Sequence, residues 1–157
     1  MKGQQPYTLS RLLNIVGVFL LLAVHLHGAT LLIPMDEDQN DHLKAYGITY
    51  WALAQGYTGD WLLNYREGSF AFPDNQSLQL ECRIRGVDFE VVSTASYDNI
   101  LREIASPSVN AEKVKLEKAP KVAVYSPKSK KPWDDAVTLV LTYAEIPYDV
   151  LYDDEIL

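Results

Sequence analysis

Cysteine and histidine are scarce in this chain, and their scarcity excludes a good deal of chemistry. Cys82 is the one cysteine among 157 residues, so no intrachain disulfide can form in any compartment. Zinc sites built on cysteine pairs are excluded on the same ground. Set among Leu80, Ile84 and Val87, Cys82 reads as a small core residue; a nucleophile or an intermolecular disulfide is the other reading. His25 and His27 fall in an N-terminal leader, which leaves His42 as the only histidine on which base chemistry could centre. No Gly-x-Ser-x-Gly elbow, Walker A loop or dinucleotide fingerprint is present. Positive charge is in deficit too, with 14 lysines and arginines against 21 acidic residues. Such a surface repels phosphate backbones and disfavours nucleic acid as a partner.

No apolar run reaches the roughly 20 residues that a membrane-spanning helix needs. The longest, from Ile15 to Leu26, follows Lys2 and Arg11 and precedes His27-Gly28-Ala29. A basic start, a short apolar core and a small residue describe a secretory signal peptide over residues 1–29. His27 stands where the cleavage site prefers a small residue. An uncleaved N-terminal anchor is the alternative. Without the leader the chain carries 21 acidic against 12 basic side chains, a balance of −9. The expected location is the periplasm or cell envelope.

The rest of the chain alternates apolar runs with helical patterns. Strands are expected over 30–34, 60–66, 88–93, 121–125 and 148–152, with 70–72 as a possible hairpin arm before Pro73. Helices are expected over about 41–55, 75–86, 97–105 and from Asp134 or Asp135 to Tyr143. Residues 109–120, charged and alternating, read as a connection. Strand–helix alternation predicts an α/β protein with a mainly parallel, three-layer sheet of the flavodoxin- or Rossmann-like kind. A division near 106–120 into two α/β halves is compatible with this pattern. The β-α-β unit over 121–157 stops where its next helix is due, so an incomplete C-terminus is expected.

Two constellations invite a functional reading. Asp36, Asp38 and Asp41 with His42 follow the first strand, where open α/β sheets bind ligands, and closely spaced carboxylates with a histidine could hold a divalent cation. The calcium-loop pattern fails there, because Asp41 takes the place of the turn glycine and Gly47 that of the closing glutamate. The plainer reading is an acidic helix start. The second constellation leaves the strand at Tyr125 and carries Ser126, Lys128 and Lys131 towards a helix N-terminus, a geometry that binds anions. Arg66, with Glu67 and Ser69 at the end of the second strand, could bind a carboxylate or a sugar. Arg66 and Glu67 could equally form an exposed pair. No organic cofactor is expected.

Several stretches together resemble a family of exported Gram-negative proteins catalogued as "asparagine synthetase B". They are Leu32-Ile33-Pro34-Met35-Asp36, Asp41-His42-Leu43-Lys44-Ala45-Tyr46-Gly47, Asp60-Trp61-Leu62-Leu63-Asn64-Tyr65-Arg66, Lys115-Leu116-Glu117-Lys118-Ala119-Pro120 and Pro132-Trp133-Asp134-Asp135-Ala136-Val137-Thr138-Leu139. The resemblance implies that this chain is the N-terminal portion of a longer protein. Glutamine-dependent asparagine synthetases use a cysteine exposed at position 2, where this chain has Lys2, and a Ser-Gly-Gly-x-Asp-Ser ATP loop that it lacks. The resemblance therefore carries no catalytic residue onto the sequence. The expected function is a binding or scaffold module of the cell envelope, partnered by an envelope protein or by the remainder of its own chain. The alternative is the N-terminal part of an amidotransferase-like or metal-dependent enzyme whose active site lies largely beyond residue 157.

Overall fold

The computed structural model describes residues 28–126 and 136–152. Residues 1–27 of the expected leader, Lys128, Lys131, Trp133, Asp134 and Asp135, where the fourth helix is expected to start, and the last five residues lie outside them. Along the chain run β1 (Ala29–Ile33), α1 (His42–Ala54), β2 (Gly59–Leu63), β3 (Phe70–Pro73), α2 (Gln76–Arg85), β4 (Glu90–Ser93), α3 (Thr94–Ile104) and β5 (Glu112–Leu116). A separate unit follows: β6 (Ala123–Tyr125), α4 (Ala136–Tyr143) and β7 (Asp149–Leu151).

The helix limits follow from their caps. Asp41 accepts the Lys44 N–H at 2.9 Å and starts α1. Asn75 accepts the Leu78 N–H at 2.8 Å, and Gly86 at φ 69° ends α2 in the left-handed conformation. Ser93 accepts the Ser96 N–H at 3.1 Å and starts α3 directly from β4.

The five-stranded sheet has the order β4-β1-β3-β2-β5, with every neighbouring pair antiparallel. This corrects the expected parallel, flavodoxin-like sheet. β1 and β2 do run in the same direction, but β3 lies between them, with Leu31 opposite Phe72 and Asp60 opposite Ala71. The first six elements thus form a split β-α-β-β-α-β arrangement. Only β6 and β7 pair in parallel, Val124 opposite Val150, and they form a sheet of their own.

Burial explains the misreading. Leu31, Ile33, Phe70 and Phe72 face α1 and α2, packing on Ala45, Ile48, Ala52, Leu53, Leu78 and Cys82. Leu32, Leu62 and Ala71 point the other way, against Ile100, Leu101 and Ile104 of α3. Helices cover both faces of the central strands, so β1 and β3 become continuous apolar runs, the pattern usually produced by parallel sheets. β5 carries the opposite signature: Val114 and Leu116 are partly buried while Lys113 and Lys115 project outward. That is a charged edge strand where the sequence suggests a connection.

Candidate functional site

The loops after β1 and β2 and the start of β4 meet at one end of the five-stranded sheet. Arg66 is at their centre. Its Nε donates to Asp36 Oδ2 at 2.5 Å and its Nη2 to Asp36 Oδ1 at 3.1 Å, a two-pronged grip on one carboxylate. Nη2 also reaches Asp38 Oδ2 at 2.6 Å, and Nη1 reaches Glu90 Oε1 at 2.5 Å. The hydrogen bonds from Arg66 hold the Asp36 carboxyl below its ordinary value, and Asp36 and Glu90 in turn raise the Arg66 guanidinium above its own. Arg66 is held in a turn where Asn64, Arg66 and Glu67 have φ of 60°, 45° and 61°. The buried Ser69 hydroxyl braces that turn by donating to the Tyr65 carbonyl at 3.1 Å.

Of the four residues expected to hold a cation, the structure brings together only two. Asp36 and Asp38 converge on Arg66. Asp41 instead caps α1 and accepts the Tyr143 hydroxyl at 2.5 Å. Burial pushes its carboxyl up, but the bonds from Tyr143 and the Lys44 N–H outweigh that and leave it lowered. His42 turns towards β1 and donates Nε2–H to the Met35 carbonyl at 3.0 Å. Among the described residues no group of three or more histidine, cysteine, aspartate or glutamate side chains converges as a metal site would.

Arg66 follows a strand of the five-stranded sheet and Ser126 follows one of the two-stranded sheet. Ser126 is buried at the end of β6, where its N–H donates to the Leu151 carbonyl at 2.8 Å. Lys128 and Lys131 fall outside the described residues, so the expected anion loop has no geometry here. Arg66 meets Glu90, which begins β4, rather than its sequence neighbour Glu67. No sequence spacing could have found that partner before the register of β4 on β1 was known.

Sequence reasoning also missed Gln39, which is buried and ties the loop after β1 to the approach to β4. Its Nε2 donates to the carbonyls of Pro34 at 3.0 Å and Asp88 at 3.2 Å, while its Oε1 accepts the Asp88 N–H at 3.0 Å. At the opposite end of the sheet Asp60 accepts from the Tyr97 hydroxyl at 2.8 Å and from Lys115 Nζ at 3.3 Å. Burial, then the Asp60 carboxylate, raises the Tyr97 phenol, so it serves as a donor and not as a base. These groups border an open recess of about 200 Å³ with Gly28, Thr30 and Thr58.

The third constellation is the seam between the two sheets' helices. Glu145, just past α4, accepts from Lys44 Nζ of α1 at 2.6 Å and from Arg85 Nε of α2 at 2.7 Å. Those two cations, Lys44 first, lower its carboxyl. The Lys44 ammonium also lies 4.8 Å from the centre of the Tyr143 ring.

Compared with protein-family models, curated proteins and solved structures, the chain matches none. Among the described residues no helix is long and apolar enough to cross a membrane.

Proposed function

We propose that this chain is an exported binding or scaffold module of the cell envelope, the N-terminal part of a longer protein of the family catalogued as "asparagine synthetase B". In this reading its task is to hold two α/β units in fixed relation and to present the second of them to a protein partner.

The observation that carries it is the setting of α4. Its last turn is seated on α1 and α2 through Tyr143, Ala144 and Glu145, while Leu139 and Val140 point outward, 68% and 41% exposed. The helix Ala-Val-Thr-Leu-Val-Leu-Thr-Tyr contains no charged residue, on a chain whose net charge is −7. An uncharged, apolar helix surface suits protein contact and not a nucleic acid. The polar clusters support the same reading, because the carboxylates around Arg66, and Asp60 itself, already accept hydrogen bonds from Arg66, Lys115 or Tyr97. The Cys82 thiol is enclosed and pushed up by burial to about 12, far from a reactive thiolate.

The test is expression of the tagged full chain in a Gram-negative host, with a photo-crosslinking residue at Leu139 or, as a control, at exposed Lys113. The reading predicts recovery in the envelope fraction and one discrete protein adduct from position 139 alone. Retention in the cytoplasm, or equal labelling from both positions, contradicts it.

A further inference from the structure

We propose that Gly28 and Ala29 belong to the folded domain, so that any removal of the leader in the cell leaves both on the product. The sequence puts the end of the leader at Ala29, yet Ala29 is the first residue of β1, which lies between β4 and β3. It sits opposite Ser93, the residue that caps α3. Its carbonyl accepts the Asp74 N–H at 2.9 Å and so fastens the end of β3. The Gly28 carbonyl accepts the hydroxyl of Thr94, the first residue of α3. These two residues therefore anchor the beginnings and ends of three other elements.

Hydrolysis after Ala29 would take both carbonyl acceptors away, leaving the Asp74 N–H and the Thr94 hydroxyl to find other partners. It would also create a charged amino group at Thr30. Thr30 borders the same recess as the Lys115 ammonium, and the one carboxylate there, Asp60, already accepts from Tyr97 and Lys115. The residue preferences of leader removal also disfavour a cut after Ala29. His27 fills the position three before a cut at Ala29, where a small side chain is wanted. A hydrolytic cut that respects the fold lies N-terminal to Gly28, and a retained leader respects it equally.

The cellular arm of the test rests on the export reading. The full chain with a C-terminal tag is expressed in a Gram-negative host, and the intact mass and N-terminal peptide of the envelope product are determined. The expected first residue is Gly28 or an earlier one; a product starting at Ala29 or later overturns the proposal. If the chain stays in the cytoplasm with Met1 in place, the export reading alone fails. Limited digestion of that full-length protein with a protease of broad specificity then decides the boundary. A resistant core that keeps Gly28 and Ala29 upholds it, and a core trimmed to Ala29 or beyond overturns it.

Discussion

A Cβ at Gly47 would lie 1.8 Å from the carbonyl oxygen of Ala144, so the seam between α1 and the end of α4 closes only around a residue with no side chain. The obstacle is main chain, which cannot swing aside as a long side chain would. In an unencumbered helix, Gly→Ala stabilises by roughly 1 kcal/mol. Here the sign reverses for the seam. Gly47→Ala is expected to expel Ala144 from α1 while leaving the five-stranded sheet folded. Near-ultraviolet circular dichroism and thermal unfolding will show this as a lower-temperature transition preceding the main one. A single transition at or above the wild-type temperature contradicts it.

Gln39 satisfies main-chain groups of Pro34 and Asp88 from a buried position. Replacing it by leucine removes these partners and leaves enclosed donors and acceptors unpaired, at about 1–3 kcal/mol. Gln39→Leu should therefore lower the urea midpoint without changing the denaturant slope. A midpoint equal to wild type counts against the network.

Arg66→Met leaves Asp36, Asp38 and Glu90 without their shared cation. Asp38 and Glu90 side chains are 77% and 50% exposed and lose little, whereas Asp36, at 25%, loses a two-pronged partner. The expected cost at neutral pH is about 1–3 kcal/mol. Because Arg66 lowers the folded-state Asp36 pKa, this stability is present above the unfolded carboxyl value of 3.8 and is lost as pH falls through the lowered folded value. Wild type and variant should therefore converge in acid. A gap in unfolding free energy that persists at the lowest pH refutes the assignment to Asp36.

Calcium, magnesium and zinc should each leave the melting temperature of the full chain unchanged, and Asp38→Ala should respond like wild type. Asp36 and Asp38 face an arginine, Asp41 caps a helix and His42 donates to a carbonyl. A rise in melting temperature with one ion, lost in Asp38→Ala or His42→Ala, would revive the cation site.

The sequence was informative where local chemistry decides structure and silent where register decides it. Asp41, Asn75, Gly56 and Gly86 bound α1 and α2 through capping and left-handed glycines, and the Ile100-Leu101-Ile104 stripe of α3 faces the sheet as its spacing predicts. Phe70-Ala71-Phe72 does return antiparallel to β2 as the hairpin arm expected, but nothing in so short a run announces that it also pairs with β1 and so separates β1 from β2. Double-sided burial also gave β1 the look of a parallel strand. β5 hid behind its lysines, although the alternation of Lys113 and Lys115 with Val114 and Leu116 was a usable signal. In the candidate site, Asp36, Asp38 and Arg66 were named separately from sequence. What joins them is the meeting of two loops 30 residues apart, and Glu90 enters only through the pairing of β4 with β1.

The most direct test of the scaffold account is amide hydrogen exchange on the full chain, comparing wild type with Gly47→Ala. If the seam holds the second unit in fixed relation to the first, β6 and β7 amides are protected in wild type and lose that protection in the variant, while β1 and β3 stay protected in both. If β6 and β7 exchange at unfolded-chain rates in wild type, the second unit is not held, and the scaffold reading fails.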